Sequence, residues 1–316
     1  RGQEVCRSVF TVTAQALGAA GGQQSFEGKH FTESGGIGNA LQLVVDEELS
    51  DNLQQVQLRN GLPPSGALKA KQALDFTVEM ETGTGKTYVY LRTVFELNQR
   101  YGFTKFVVVV PSVAIKEGVN KTLQITREHF ERLYPTAKGY EFFQYDSDKL
   151  GQVRNFATSP NIQIMVITVG AINKFGDEAA AQAEESDGAK RREKSKNKMY
   201  RISEKTGGER PIDLIRQTRP ILIVDEPQRV EGGLDGKGKK ALAHMSPLCT
   251  LRYSATHVDK HHMVYRLDAV DAYEQKLVKQ IEVAAATVQG GNNKPYVKLL
   301  GVSNKRGAIT ASIEVD

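Results

Sequence analysis

The chain has 316 residues, 42 Lys+Arg against 37 Asp+Glu for a net charge of +5, and is 40% hydrophobic and 25% charged. That composition fits one large globular domain or two smaller ones and excludes collagen-like, mucin-like and wholly disordered chains. Its longest apolar runs, such as Phe106 to Val110 and Ile221 to Val224, fall far short of the roughly 20 residues of a membrane span. Cys6 and Cys249 are the only cysteines, too few for a disulfide framework or a paired-cysteine zinc motif, and they fit a reducing cytoplasm.

Residues 1 to about 72 read as a turn-rich lead-in, with an apolar helical stretch near Val5 to Leu17 and a Gly-Leu-Pro-Pro break at Gly61 to Pro64. From Asp75, the residues Phe76, Val78 and Met80 form a short strand that runs into the glycine-rich turn Thr82 to Gly85. Tyr90, Val94, Leu97 and Tyr101 then keep the spacing of one helical face, which Gly102 ends. The unbroken run Phe106 to Val110, stopped by Pro111, predicts a strand covered on both sides. The same rhythm returns at Ile162 to Thr168, Ile221 to Asp225 and Leu251 to Ser254, with helices around Ala114 to Leu133 and Ala241 to Met245. Such alternation predicts an α/β fold with a doubly wound, mostly parallel sheet over residues 73–275.

Residues 176–210, rich in Ala, Glu, Lys and Gly, are expected to interrupt that domain as an exposed, poorly ordered basic insertion. Within it Lys190, Arg191, Arg192, Lys194, Lys196, Lys198 and Arg201 stand against Glu193 alone, the pattern of a solvated charge run. Beyond about residue 275, Ile281 to Val288, Tyr296 to Val302 and Ala308 to Val315 read as strands, so residues 276–316 are expected to begin a β-rich element.

Three strings carry the chemistry. Met-Glu-Thr-Gly-Thr-Gly-Lys-Thr, Met80 to Thr87, sits between a strand and a helix, as a phosphate-binding loop must. Gly83 and Gly85 let the backbone curl its N–H groups toward an anion, with Thr82 and Thr84 in the same loop. Lys86 would reach the β- and γ-phosphates of ATP and Thr87 would ligate Mg²⁺. The first position of the usual pattern is Met80 rather than glycine. Ile221 to Gln228 brings an apolar strand to Asp225 and Glu226 at its carboxyl end, 139 residues after Lys86. Asp225 suits magnesium, and Glu226 suits a general base for the attacking water. Twenty-nine residues after Asp225, Ser254, Thr256 and His257 end another strand with groups able to sense the nucleotide.

This order of phosphate loop, Asp-Glu and Ser-Ala-Thr resembles that of superfamily 2 helicase-type motors. The strings Met80 to Tyr90, Val110 to Val119, Arg210 to Ile215, Arg219 to Gln228, Leu251 to His257 and Tyr265 to Tyr273 make the chain similar to the Res subunit of type III restriction endonucleases; the Asp-Glu-Pro-Gln form and the Pro111 to Val119 block are the discriminating parts. That resemblance implies a first RecA-like domain of a P-loop NTPase that binds ATP and Mg²⁺, acts on double-stranded DNA and works with a Mod methyltransferase subunit. It also implies that Gln228, Ser254, Thr256 and His257 couple hydrolysis to movement, and that Pro111, Ser112, Lys116 and Lys174 contact the DNA backbone. Gln3 would be a remnant of an adenine-recognising glutamine, without the tyrosine expected before it. The sequence shows neither the later motor motifs, with their arginine for the γ-phosphate, nor an acidic-plus-lysine nuclease signature. An isolated domain of this kind is expected to turn ATP over weakly.

Two readings compete with it: another DNA-dependent superfamily 2 ATPase, and a nucleotide- and partner-binding module without turnover. His257, His261 and His262 have no fourth ligand or cysteine pair in the spacing and read as surface or satisfied histidines.

Overall fold

The computed structural model describes residues 29–32, 35–40, 46–68, 74–173, 197–232, 236–279, 297–303 and 310–315. Gln3, the stretch Val5 to Leu17, Lys174, residues 176–196 of the insertion and the strand expected at Ile281 to Val288 lie outside them. The chain divides into two units, residues 1–278 and 279–316.

The first unit is built on seven parallel strands: β3 (Asp75–Met80), β4 (Lys105–Val110), β5 (Glu141–Gln144), β6 (Gln163–Thr168), β7 (Ile221–Asp225), β8 (Cys249–Ser254) and β9 (Met263–Leu267). Their order in the sheet is β5-β6-β4-β7-β8-β3-β9. All of β4, β7 and β8 is buried, as a strand covered on both faces requires. Alternation along β4 divides the core. Phe106, Val108 and Val110 pack with Tyr90, Val94 and Phe95 of α2 (Lys86–Tyr101), and α1 (Asp46–Arg59) adds Leu49, Leu53 and Val56 to this layer. Val107 and Val109 face the other way, toward Phe156 of α5 (Gly151–Thr158), Ile212 of α7 (Pro211–Gln217) and Leu242 of α9 (Lys237–Ala243). Helices on both faces of one parallel sheet make this an α/β fold of the RecA-like, doubly wound type.

Gly102 ends α2 in the left-handed conformation, its N–H donating to the Asn98 carbonyl at 2.8 Å. The single helix expected from Ala114 to Leu133 is two, α3 (Val113–Ile125) and α4 (Arg127–Leu133). They part at Thr126, whose hydroxyl bonds back to the Thr122 carbonyl at 2.7 Å. Among the described residues the remaining α-helices are the short α6 (Val169–Ile172), α8 (Pro227–Val230) and α10 (Ala269–Glu274).

The described end of the expected insertion, residues 197–210, is exposed at seven positions and held down at three. Two 3₁₀ turns, Lys198–Tyr200 and Glu204–Thr206, bury Met199, Tyr200 and Thr206, and the Tyr200 hydroxyl donates to the Ile172 carbonyl at 2.8 Å. Composition misses this because a few apolar anchors suffice to seat a polar segment.

Before β3, the hairpin β1 (Lys29–Phe31) and β2 (Ile37–Asn39) ends at a buried staple. The Asn39 amide donates to the carbonyls of Lys105 and Arg219 at 2.9 and 3.2 Å, and its oxygen accepts the N–H of Thr104 and Lys105 at 2.9 and 3.2 Å. Helix α1 covers the sheet's β9 edge: Gln57 and Asn60 donate to the carbonyls of Met263 and Val264 at 2.9 and 3.0 Å.

Over β8 and β3 one sheet face is polar. Arg252, 3% exposed, reaches Asp75 of β3 at 2.7 Å and Glu231, just past α8, at 2.6 Å. The second unit contributes an antiparallel pair, β10 (Val297–Ser303) and β11 (Thr310–Val315). Among the described residues, no helix is long and apolar enough to cross a membrane.

Candidate active site

Parallel sheets gather their loops at the strands' carboxyl ends, and strand order decides which loops meet. Although β3 and β7 are far apart in sequence, only β8 separates them in the sheet. The loops after β3, β7 and β8 therefore converge.

After Met80 the chain turns through Gly83 (φ 85°) and Gly85 (φ 87°), left-handed conformations that would strain any other residue. Met80 itself is buried in the core as the last residue of β3, so the position where the usual pattern has glycine is spent on packing. Within the loop the Thr84 hydroxyl donates to the Glu81 carbonyl at 2.6 Å, and the Thr82 N–H to Glu81 Oε1 at 2.7 Å. The exposed Thr82, Gly83 and Gly85 then lead to Lys86 and Thr87 in the first turn of α2.

From β7, Asp225 is buried whereas Glu226 turns into a left-handed conformation (φ 54°, ψ 62°) ahead of Pro227. That conformation costs a residue with a Cβ about 1–2 kcal/mol. It accompanies a carboxylate that meets Lys86 Nζ at 2.5 Å. Gln228 donates to Glu226 Oε2. From β8 the buried Ser254 hydroxyl lies 3.1 Å from Glu226 Oε2, 3.0 Å from Gln228 Oε1 and 2.8 Å from the Thr256 carbonyl, and accepts the Thr256 N–H at 3.1 Å. Three loops thus share one hydrogen-bond network. His257 Nε2 lies 3.1 Å from the Val78 carbonyl; the N–H must donate there, which ties the Ser-Ala-Thr loop to β3. Burial holds this imidazole below its usual range.

The two acids are tuned apart. Burial raises the Asp225 carboxyl to about 6, and the neighbouring Glu226 charge adds to this against the pull of Lys86. Burial also opposes ionisation of Glu226, but the Lys86 hydrogen bond and charge, with Gln228 and Ser254, carry it below its usual range. Sequence reading missed Tyr90 here. Taken as part of the apolar face of α2, it is fully buried, and its hydroxyl stands by the side chains of Thr87 and Asp225.

Of the expected DNA contacts, Pro111 and Ser112 follow β4, the neighbour of β7, and so lie on the same rim. Ser112 caps α3 by accepting the Ile115 N–H at 3.3 Å, and Lys116 donates to the Tyr145 carbonyl at 3.5 Å. The three histidines do not converge: His257 is committed to β3, whereas His261 lies with Glu231 and Asp259, their ligand atoms within 4.8 Å of one another. There Arg252 already neutralises Glu231.

The profile of the family described as "Type III restriction enzyme, res subunit" matches residues 39–259, from the Asn39 staple through all three converging loops. The chain belongs to that Res subunit family. It is 29% identical over 266 residues to the EcoP15I Res subunit of Escherichia coli, covering 77% of this chain and 25% of that protein. It is 30% identical over 238 residues to the StyLTI Res subunit of Salmonella typhimurium, covering 65% and 22%. This Res-family chain spans about a quarter of the length of the curated relatives it matches. Among solved structures, the yeast DEAD-box splicing factor Prp28 aligns with a TM-score of 0.36 and 15% identity, over 68% of this chain and 44% of its own. The SWI2/SNF2 ATPase core of Sulfolobus solfataricus in complex with dsDNA aligns at 0.34 and 12%, over 66% and 31%.

The raised carboxyl makes a stability prediction for this Res-family domain. An acid lifted from 3.8 to about 6 keeps its proton in the fold where the unfolded chain has lost it, so stability falls as pH rises through that window. Asp225→Asn should therefore stabilise the ligand-free chain at pH 8, by up to about 3 kcal/mol, and change it little at pH 4. Urea denaturation at the two pH values checks this; destabilisation at pH 8 would refute it.

Proposed function

We propose that the chain is the ATP-binding and ATP-hydrolysing DNA motor domain of a type III restriction endonuclease Res subunit, coupling hydrolysis to translocation or sliding along DNA before cleavage. The observation that carries the reading is Lys86 of the phosphate loop meeting Glu226 of the Asp-Glu pair beside Ser254 of the strand between them. Phosphates of ATP take the place of the Glu226 carboxylate on Lys86, with the loop N–H groups of residues 82–87 around them. Glu226, released from that ion pair and still hydrogen-bonded by Gln228 and Ser254, accepts the proton of the attacking water. Ser254 and Gln228 hold its second oxygen, so a change of charge on Glu226 is felt in the Thr256–His257 loop and through His257 in β3.

Hard oxygen donors suit magnesium, and the Thr87 hydroxyl and the buried Asp225 carboxylate are the groups that would hold it. A magnesium ion held by them would supply positive charge against the phosphates. Double-stranded DNA is read as crossing the rim at Pro111, Ser112 and Lys116, and at Lys174 in the sequence; these contacts position without selecting sequence. Recognition is then assigned to a Mod methyltransferase subunit.

The later motor motifs that carry an arginine for the γ-phosphate are not seen in the sequence, and that group is worth about 10³ to 10⁵ in rate where it has been measured. The expected result is tight ATP binding with slow turnover that duplex DNA raises, measured as phosphate release with and without DNA. Turnover indifferent to DNA would overturn the motor reading, and binding with no turnover would favour the module.

A further inference from the structure

Tyr90 lies three residues after Thr87 and four after Lys86 on α2, one helical turn, so the three share a face. The ring is well placed: it is fully buried and packs against the Tyr253 ring of β8 at 5.6 Å between centroids. The hydroxyl is not explained by that packing. It is buried without a hydrogen-bond partner, one helical turn from Thr87 and against Tyr253, which pairs in register with Asp225; the Thr87 hydroxyl and the Asp225 carboxylate are the side chains that act on it. A buried hydroxyl left without a partner destabilises a fold, whereas phenylalanine would keep the ring and avoid that. The phenol therefore faces the two groups that would hold magnesium, where its O–H can serve only one of them at a time.

We propose that Tyr90 is a positioning residue for the divalent cation: its O–H donates to Asp225 when the site is loaded, orienting that carboxylate toward Thr87. This rests on the nucleotide-and-magnesium reading above. Tyr90 does not touch phosphate; it acts through Asp225. The device is built into the helix that carries the phosphate loop, so nucleotide seating on Lys86 and cation seating on Asp225 are joined by one turn of α2.

The test is binding of a fluorescent ADP by the 316-residue chain, titrated with Mg²⁺ and repeated in EDTA. In Tyr90→Phe the Mg²⁺ concentration for half the effect should rise about fivefold, the gain of one hydrogen bond in the loaded state. Affinity in EDTA should stay at the wild-type value, and the thermal midpoint without ligand should be equal or higher. A wild-type Mg²⁺ midpoint in Tyr90→Phe overturns the proposal, as does a parallel loss of affinity in EDTA, which marks a merely structural role. Lys86→Ala separates the two layers. If that variant binds ADP like the wild type, the phosphate-loop reading itself fails. If it loses ADP while Tyr90→Phe titrates normally, only the role of Tyr90 falls.

Discussion

Lys86→Ala is expected to weaken binding of ATP by roughly ten- to a hundredfold and to remove turnover. A charge-assisted hydrogen bond to an anion contributes about 1.5–3 kcal/mol, and loss of one preorganised donor to a developing negative charge costs about 10² to 10³ in rate. The variant also disturbs the acids. Lys86 is the positive charge that holds Asp225 and Glu226 down against burial, and in its absence both carboxyls should rise. The pH dependence of Mg²⁺-assisted nucleotide binding should then move to higher pH, as Asp225 loses its proton later. Isothermal titration with ADP across pH 5 to 8 checks both effects. An affinity within twofold of wild type would remove the phosphate-loop assignment.

Arg252→Ala is expected to be the most destabilising of the substitutions considered, at up to about 3–5 kcal/mol, because it removes a buried cation and leaves the half-buried Asp75 and Glu231 without it. That is a large fraction of the 5–15 kcal/mol that holds a typical domain together. Adding Glu231→Gln should restore part of the loss, since it removes one of the stranded charges. Urea denaturation of the single and double variants measures this, and a loss below about 1 kcal/mol would show that water already serves these groups. Because Glu231 follows α8 and Arg252 precedes Ser254 by two residues, the same variant should also loosen the contact of Ser254 with Glu226.

The glycine turn after β3 was legible because its requirements are local. Two glycines with positive φ, a lysine and a threonine at a helix start form a short string whose chemistry does not depend on distant residues. Asp225 and Glu226 were legible for a related reason: an apolar strand delivers the residues at its end to a sheet's carboxyl rim. Tyr90 was not. Helical periodicity assigns it to the core, which is correct for the ring and silent about the hydroxyl. Nor could the opposite tuning of adjacent acids be read, since it depends on which of them Lys86, Gln228 and Ser254 reach.

What the sequence determined by itself was the α/β class and its fully buried strands, because unbroken apolar runs such as Phe106 to Val110 suit only a position covered on both faces. The edge strands Glu141–Gln144 and Met263–Leu267 escaped that reading; each has a strand neighbour on one side only and mixes polar residues with apolar ones. The buried placement of Met199 and Tyr200 was equally hidden. Only the tertiary structure decided that β8 lies between β3 and β7. Hydrophobic pattern fixes how deeply a strand is buried, whereas its neighbours depend on register and on what each crossover packs against. Through that choice alone, residues 140 positions apart in the chain, Lys86 and Glu226, come within bonding distance.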